Sequence, residues 1–113
     1  MKNKEDKRIR LKKKIRAKIL GTSARPRLSV FRSNKFIYAQ VIDDLTGKTL
    51  AQANDVKIKK GTKSERAKQV GQMIANICQK LKIVKVVFDR NGFKYTGRIK
   101  LVADIARAEG LKL

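Results

Sequence analysis

Positive charge is the property that most constrains how this chain can fold. Of its 113 residues, 30 are Lys or Arg and only 9 are Asp or Glu, which gives a formal net charge of +21. Repulsion of this size opposes the compaction of a small domain unless a polyanion neutralises it. The charge balance therefore predicts a nucleic-acid-binding protein. An anionic membrane surface as partner and an incidental solvated basic surface are the alternatives.

The charge is concentrated at the N-terminal end, where residues 1–27 contain 12 Lys and Arg and two acids. Leu11, Ile15 and Ile19 recur every four residues, which predicts a thin apolar stripe on a helix within residues 4–20. Because the cations on its other faces repel each other, we expect this arm, residues 1–24, to fray until RNA phosphates order it. A permanently disordered basic tail is the alternative.

Residues 25–113 are expected to form a single globular α/β domain. Pro26 disfavours helix at the preceding residue and so separates the domain from the arm. Three segments rich in β-forming residues follow, and the short turns between them predict an antiparallel meander. These predicted strands are residues 28–32, 36–42 and 48–53. Asn34, in the first turn, is available for a left-handed backbone position.

A helix is predicted next, because Thr62 and Glu65 have the spacing of a capping box. Apolar residues at helical spacing predict its buried face, namely Ala67, Val70, Ile74, Ile77, Cys78 and Leu81. Gly71 lies on the same face and indicates close packing on the sheet. On such a face Cys78 is interpreted as a small core residue rather than a reactive thiol.

The last part of the chain predicts one more strand and one more helix. Residues 84–88 include three valines, which are β-branched, and are too few for a helix, so they predict a buried strand. A glycine-punctuated loop follows over residues 89–98, and a helix over residues 98–109 ends before Gly110. The order β-β-β-α-β-α predicts a mixed sheet flanked by helices.

Residue types argue against several other functions. The chain has no His and a single Cys, so a disulfide or zinc site within it is not expected. Asp89 follows the predicted buried strand, where a metal-binding carboxylate would be expected, but the favoured interpretation is that it is an ion-pair or turn partner of Arg90 or Arg98. We therefore expect no catalysis, no metal or other cofactor and no small-molecule substrate.

Membrane and DNA partners are also disfavoured. No apolar run approaches the roughly 20 residues that span a membrane, and no signal-peptide core follows the basic N-terminus. A cytoplasmic protein without a membrane partner is therefore expected. A helix-turn-helix protein needs an exposed recognition helix after a tight turn, whereas the two predicted helices of the domain have broad apolar faces and a strand between them.

RNA is the ligand that the aromatic and basic residues favour. Cations alternate with aromatic and amide residues over residues 32–38 and 90–95. Tyr and Arg planes can stack on unpaired bases, while Lys and Arg bind phosphates. Tyr38 and Tyr95 are therefore assigned to the RNA-facing surface. Three other aromatic residues are assigned to the core: Phe31, Phe36 and Phe88.

The same segments carry a family resemblance. Residues 25–44 read RPRLSVFRSNKFIYAQVIDD, residues 47–51 read GKTLA, residues 87–98 read VFDRNGFKYTGR, and residues 101–112 read LVADIARAEGLK. In this order, and over essentially the whole chain, they resemble the bacterial large-subunit ribosomal proteins of the L-eighteen family. Asn91 and Thr96 differ from the Gly and His that such proteins often have in this loop, which affects the base contacts expected there.

The resemblance implies a specific fold and partner. It implies an α/β domain with a ribonuclease H-like motif but no nuclease activity, located in the large ribosomal subunit. It also implies binding to 5S rRNA beside a protein of the L-five family, and attachment of 5S rRNA to the large-subunit rRNA in the central protuberance. Another non-catalytic RNA-binding or RNA-chaperone protein is the alternative.

The predicted RNA-binding residues belong to the arm, the first hairpin and the glycine-punctuated loop. They are Arg8, Arg10, Lys12, Lys13, Lys14, Arg16, Arg25, Arg27, Arg32, Ser33, Asn34, Lys35, Tyr38, Arg90, Tyr95 and Arg98.

Overall fold

The structure is a computed structural model that describes residues 7–11, 13, 21–22 and 25–113. Residues 7–11 and 13 are helical, as expected for this part of the arm. Ile15 and Ile19, the other members of the predicted apolar stripe, lie outside the described residues. Within the described ranges, no helix combines the length and apolar character needed to cross a membrane.

A four-stranded mixed sheet forms the centre of the domain. Strands β1 (Arg27–Arg32), β2 (Ile37–Asp43) and β3 (Lys48–Asn54) form the predicted antiparallel meander. Strand β4 (Val87–Asp89) pairs in parallel with β1, so the strand order is β3-β2-β1-β4. The α/β class and the mixed sheet are confirmed.

The bounds of β4 and the conformation of the first turn differ from the prediction. Strand β4 begins at Val87, three residues later than the predicted strand at residues 84–88, and ends one residue later. Val84 is 55% exposed, and Lys85 forms only an isolated bridge with Lys112. The first turn does not use a left-handed Asn34. Instead, the Ser33 hydroxyl accepts a hydrogen bond from the Phe36 N–H at 3.1 Å and closes the turn.

Two helices complete the domain, α1 (Lys63–Lys80) and α2 (Gly97–Ala108). The hydroxyl of Thr62 accepts from the N–H of Glu65 at 3.2 Å, which is the hydroxyl half of the predicted capping box. Helix α2 ends as predicted, since Gly110 has a φ of 103°. Leu81 does not belong to the buried face of α1, because the helix ends before it and half of the residue is exposed.

Both helices pack on one face of the sheet, with α1 over β2 and β3 and α2 over β1. Small residues at Ala39, Ala51 and Ala53 let α1 approach the strands closely, and larger aliphatic side chains fill the rest of the core. The opposite face, called the open face below, carries Ser29 and Gln40 among its side chains, as their pairing across β1 and β2 shows.

Gly71 packs against α2, so the prediction that it contacts the sheet is wrong. A Cβ atom at this position would lie 2.9 Å from both the Ile105 Cβ and the Val102 carbonyl oxygen. The second neighbour is backbone and cannot move without shifting α2. Gly71 therefore sets the separation of the two helices.

Replacing Gly71 with alanine is expected to destabilise the domain by up to about 2 kcal/mol, since overpacking costs about 1–3 kcal/mol and the gain in helix propensity offsets roughly 1 kcal/mol of it. Urea denaturation measures the effect. Asn76→Ala, on the exposed side of α1, is the matched control and is expected to leave stability unchanged or slightly higher. A Gly71→Ala protein at least as stable as Asn76→Ala would contradict the close packing of the helices.

Cys78 is fully buried, which confirms its assignment to the core. Burial raises the pKa of its thiol from 9.0 to about 11, because the thiolate would lose solvation in the apolar interior. The folded state therefore holds the proton more tightly than the unfolded state. This contribution to stability is complete below about pH 9 and is lost as the pH rises through 11.

Candidate nucleic-acid interface

A groove of about 780 Å³ opens where β1 ends and where both helices begin. We call it the cationic groove, because six of the described residues that line it are basic and none is acidic: Lys7, Arg8, Arg32, Lys63, Lys94 and Arg98. Cations held this close repel one another, and an anion between them removes that repulsion. The groove is therefore suited to a phosphate backbone.

The two helix N-termini add to the positive potential of the groove. Lys63 and Ser64 begin α1, while Gly97 and Arg98 begin α2, and all four line the groove. The first N–H groups of a helix carry partial positive charge and bind anions readily. Thr96, the N-cap of α2, makes no side-chain capping hydrogen bond.

The first hairpin turn is tied to both helices by basic side chains. Lys63 donates from Nζ to the Asn34 carbonyl at 2.7 Å, and Arg98 donates from Nη2 to the Ser33 carbonyl at 3.2 Å. These bonds fix the turn at the edge of the groove. Burial, together with the nearby Arg32 and Arg66 guanidinium groups, lowers the pKa of Arg98.

A buried carboxylate, Asp55, supports this end of the domain. Its Oδ1 accepts from the Ile37 N–H at 2.9 Å, and its Oδ2 lies 3.6 Å from the Arg66 Nε. Asp55 thus joins the start of β2 to the first turns of α1. Sequence reasoning missed this role, because Asp55 is distant along the chain from both partners.

Phe93 links the arm to the domain. The Arg8 guanidinium lies 4.7 Å and the Arg32 guanidinium 5.2 Å from the centre of its ring, within the range of cation–π attraction. Arg8 also donates from Nη1 to the Asn91 carbonyl at 3.0 Å. Contacts with the loop therefore hold the described part of the arm beside the groove.

Comparison with known proteins shows what kind of chain has this groove. Residues 2–113 match the family described as Ribosomal L18 of archaea, bacteria, mitochondria and chloroplast. The chain belongs to the ribosomal L18 family. Relatives from Bacteroides thetaiotaomicron, at 55% identity, and Porphyromonas gingivalis, at 53%, each match over 113 residues and 99% of both chains. A Myxococcus xanthus relative is 52% identical over 117 residues, again with 99% of both chains covered.

All three relatives are called large ribosomal subunit protein uL18. Membership of the ribosomal L18 family confirms the resemblance, and this chain is a ribosomal protein of the large subunit.

The predicted residues do not all line the groove of this ribosomal L18 chain. Arg8, Arg32 and Arg98 do. Several others lie exposed outside its lining: Arg10, Lys13, Arg25, Asn34 and Lys35. Lys12, Lys14 and Arg16 lie outside the described residues. The other residues that line the groove were absent from the predicted set, among them the basic Lys7, Lys63 and Lys94 and the aromatic Phe93.

The predicted loop residues have mixed positions. Arg90 donates from Nη1 to the Phe93 carbonyl at 3.1 Å and so shapes the loop. Tyr95 is exposed but packs edge-on against Phe88, with ring centres 5.6 Å apart. Asn91 adopts a left-handed φ of 53°, which Asn tolerates, and its amide donates to the Ser29 hydroxyl at 2.6 Å.

Arg27 is predicted to bind RNA, but its side chain is only 9% exposed. Its Nη1 lies 2.8 Å from an Asp89 oxygen and its Nε 3.0 Å from an Asp44 oxygen. Burial tends to lower the pKa of Arg27, but the two carboxylates outweigh it and the pKa is raised. With its guanidinium bound to these two carboxylates, Arg27 is not positioned for phosphate.

The predicted roles of Asp89 are confirmed in part. Its Oδ1 accepts from the Asn91 N–H at 2.9 Å, so it has a role in the turn, with Asn91 rather than Arg90 or Arg98 as the partner. The ion pair with Arg90 or Arg98 was wrong, because Asp89 pairs with Arg27. The parallel pairing of β4 with β1 brings these two residues together.

Phe31 was assigned to the core, and this was wrong. It belongs to the open face and is 41% exposed. Its ring centre lies 6.0 Å from that of Tyr38 and 5.6 Å from that of Phe93. Tyr38 is half-buried on the same face. Phe36 and Phe88 are also only partly buried, and Phe88 packs against the core.

Proposed function

We propose that this large-subunit ribosomal protein binds 5S rRNA and helps attach it to the large-subunit rRNA in the central protuberance, beside a protein of the L-five family. Its membership of the ribosomal L18 family supports this role. The protein acts in the cytoplasm as a structural constituent of the ribosome, without catalysis.

The cationic groove is the observation that carries the proposal. It places six basic side chains and two helix N-termini around one cleft, and phosphate contacts of this kind dominate the affinity of proteins for nucleic acids. The hairpin turn at its edge and the loop beside it are held by hydrogen bonds to the protein itself. A preformed edge can recognise the shape of a folded RNA, which is how structured RNA is commonly distinguished.

The arm extends the same surface. Arg10 and Lys13 are exposed on the helix that presents Arg8 to the groove. We propose that the arm, residues 1–24, adds phosphate contacts with little selectivity, whereas residues 25–113 supply the recognition. The predicted contacts of Lys12, Lys14 and Arg16 belong to this part of the proposal.

The ion pair and the hydrogen bond that Asp89 makes within the protein are consistent with a non-catalytic role. The carboxylate considered for metal binding is held by the Arg27 guanidinium and by a backbone N–H. Over the described ranges, no three His, Cys, Asp or Glu residues are grouped so that they could hold a metal ion. Nuclease chemistry with two metals needs several such carboxylates around the cations.

Arg98→Gln tests whether the groove carries the recognition. We expect affinity for 5S rRNA to fall about tenfold, since a hydrogen bond to a charged group contributes about 1.5–3 kcal/mol. Lys112→Gln makes the same charge change at an exposed site outside the groove and should have less than a threefold effect. Gel-shift titration measures both variants, after thermal unfolding has shown that each is folded.

Equal losses for Arg98→Gln and Lys112→Gln would mean that total charge, not the groove, determines binding. A general RNA-binding or RNA-chaperone protein would behave in that way, and it would bind 5S rRNA and other folded RNAs alike.

A further inference from the structure

The open face contains a group of four side chains that the cationic groove does not use. Phe31 and Tyr38 are direct partners across β1 and β2, and Ser29 and Gln40 form the next pair on the same face. Together these four residues line a depression of about 260 Å³. An aromatic pair thus lies beside a pair of hydrogen-bonding side chains.

Phe31 is an exposed member of a small set of aromatic residues. The chain has only six, and Phe31 leaves 41% of its surface in solvent. Its edge packs on Phe93, with an angle of 69° between the rings, which holds the Phe31 ring in place. The planes of the Tyr38 and Phe31 rings are inclined to each other by 39°. Phe31, Tyr38 and Phe93 therefore form one continuous aromatic surface.

The aromatic pair is continuous with the cationic groove. Phe31 contacts Phe93, and Phe93 is the ring over which Arg8 and Arg32 lie. A nucleotide chain that follows these cations with its phosphates can therefore reach the aromatic pair with a base. Stacking on aromatic rings is a general way in which proteins bind unpaired bases.

We infer that Phe31 and Tyr38 form a stacking platform for one unpaired RNA base, with Ser29 and Gln40 placed to hydrogen-bond to its edge. The Gln40 amide can donate and accept, and the Ser29 hydroxyl, which accepts from Asn91 at 2.6 Å, can still donate. An RNA base is favoured over a protein partner because the adjoining groove is uniformly positive and suits the flanking phosphates. The inference rests on the proposed RNA-binding function.

The chain provides its own reporter for this platform, since it has no Trp and only two Tyr. Tyr95→Phe leaves Tyr38 as the only tyrosine and preserves the ring that packs on Phe88. Tyr38→Phe leaves Tyr95 as the only tyrosine. Adding 5S rRNA should quench the emission of Tyr38 by more than half and that of Tyr95 by much less, after correction for absorption by the RNA.

Affinity provides the second readout. Phe31→Leu keeps an apolar side chain on the open face but removes the aromatic ring, and we expect it to weaken 5S rRNA binding about tenfold, since stacking on one base contributes roughly 1–3 kcal/mol. Val84→Ala trims an exposed apolar side chain that lines neither the platform nor the groove, and it should change affinity by less than threefold. Circular dichroism and thermal unfolding show whether each variant is folded.

The outcomes separate the platform from the proposed function. If the wild-type protein prefers 5S rRNA but Tyr38 is not quenched more than Tyr95 and Phe31→Leu binds normally, the platform is wrong and the function stands. If the wild-type protein shows no preference for 5S rRNA, the proposed function fails. If Phe31→Leu instead abolishes self-association in analytical ultracentrifugation while RNA binding is intact, the open face joins two copies of the chain, and the platform is overturned.

Discussion

Arg27→Gln is expected to destabilise the domain by about 3–5 kcal/mol, because breaking a buried ion pair leaves carboxylates in the interior without their counter-ion. Arg27 lies 2.8 Å from Asp89, which is fully buried, and 3.0 Å from Asp44. The loss would be a large part of the 5–15 kcal/mol by which domains of this kind are typically stable. Chemical denaturation in urea measures it.

Arg32→Gln is the matched control, since it removes the same charge from the other end of β1. Arg32 is exposed and lines the cationic groove, so its loss should change stability by less than about 0.5 kcal/mol. We expect it to weaken RNA binding about tenfold, while Arg27→Gln, measured where it is folded, binds within a fewfold of wild type. The reverse pattern would contradict the placement of both arginines.

Salt is expected to have the largest effect on affinity. If the six groove cations each neutralise one phosphate, the logarithm of the 5S rRNA association constant should fall linearly with the logarithm of salt concentration, with a slope of about −4 to −5. Affinity would then drop roughly 300- to 1,000-fold between about 50 and 200 mM salt. Nitrocellulose filter binding over this range measures the slope.

Deleting residues 1–20 provides the comparison for the salt experiment. This removes Lys7 and Arg8 from the groove, together with the exposed Arg10 and Lys13. The slope should become less steep by about one unit per lost contact, and affinity for 5S rRNA and tRNA should fall alike. A salt-independent affinity for the intact chain would contradict an electrostatic role for the groove.

The sequence predicted those parts of the fold that depend on neighbouring residues. Local patterns identified the meander and both helices, and Thr62 marked the start of α1 correctly. The family resemblance indicated a large-subunit ribosomal protein, which the comparisons confirm. The ribonuclease H-like motif and the boundary between residues 24 and 25 remain predictions.

Features that depend on distant residues could not be predicted in this way. Arg27 looked like its basic neighbours, because the pairing of β4 with β1 that brings Asp89 to it is not visible in local sequence. Phe31 looked like a core residue, because the sequence does not show that both helices cover the same face of the sheet. Lys63 lines the groove because α1 packs beside α2, and this packing also depends on residues that are distant along the chain.

Selectivity for 5S rRNA is measured with the wild-type protein as the ratio of its dissociation constants for 5S rRNA and tRNA, in one gel-shift competition at about 200 mM salt. At this salt concentration the non-specific phosphate contribution is weakened, so selective contacts determine the ratio. The proposed function predicts that 5S rRNA binds at least tenfold more tightly than tRNA. Equal dissociation constants would contradict it and would leave a general RNA-binding protein.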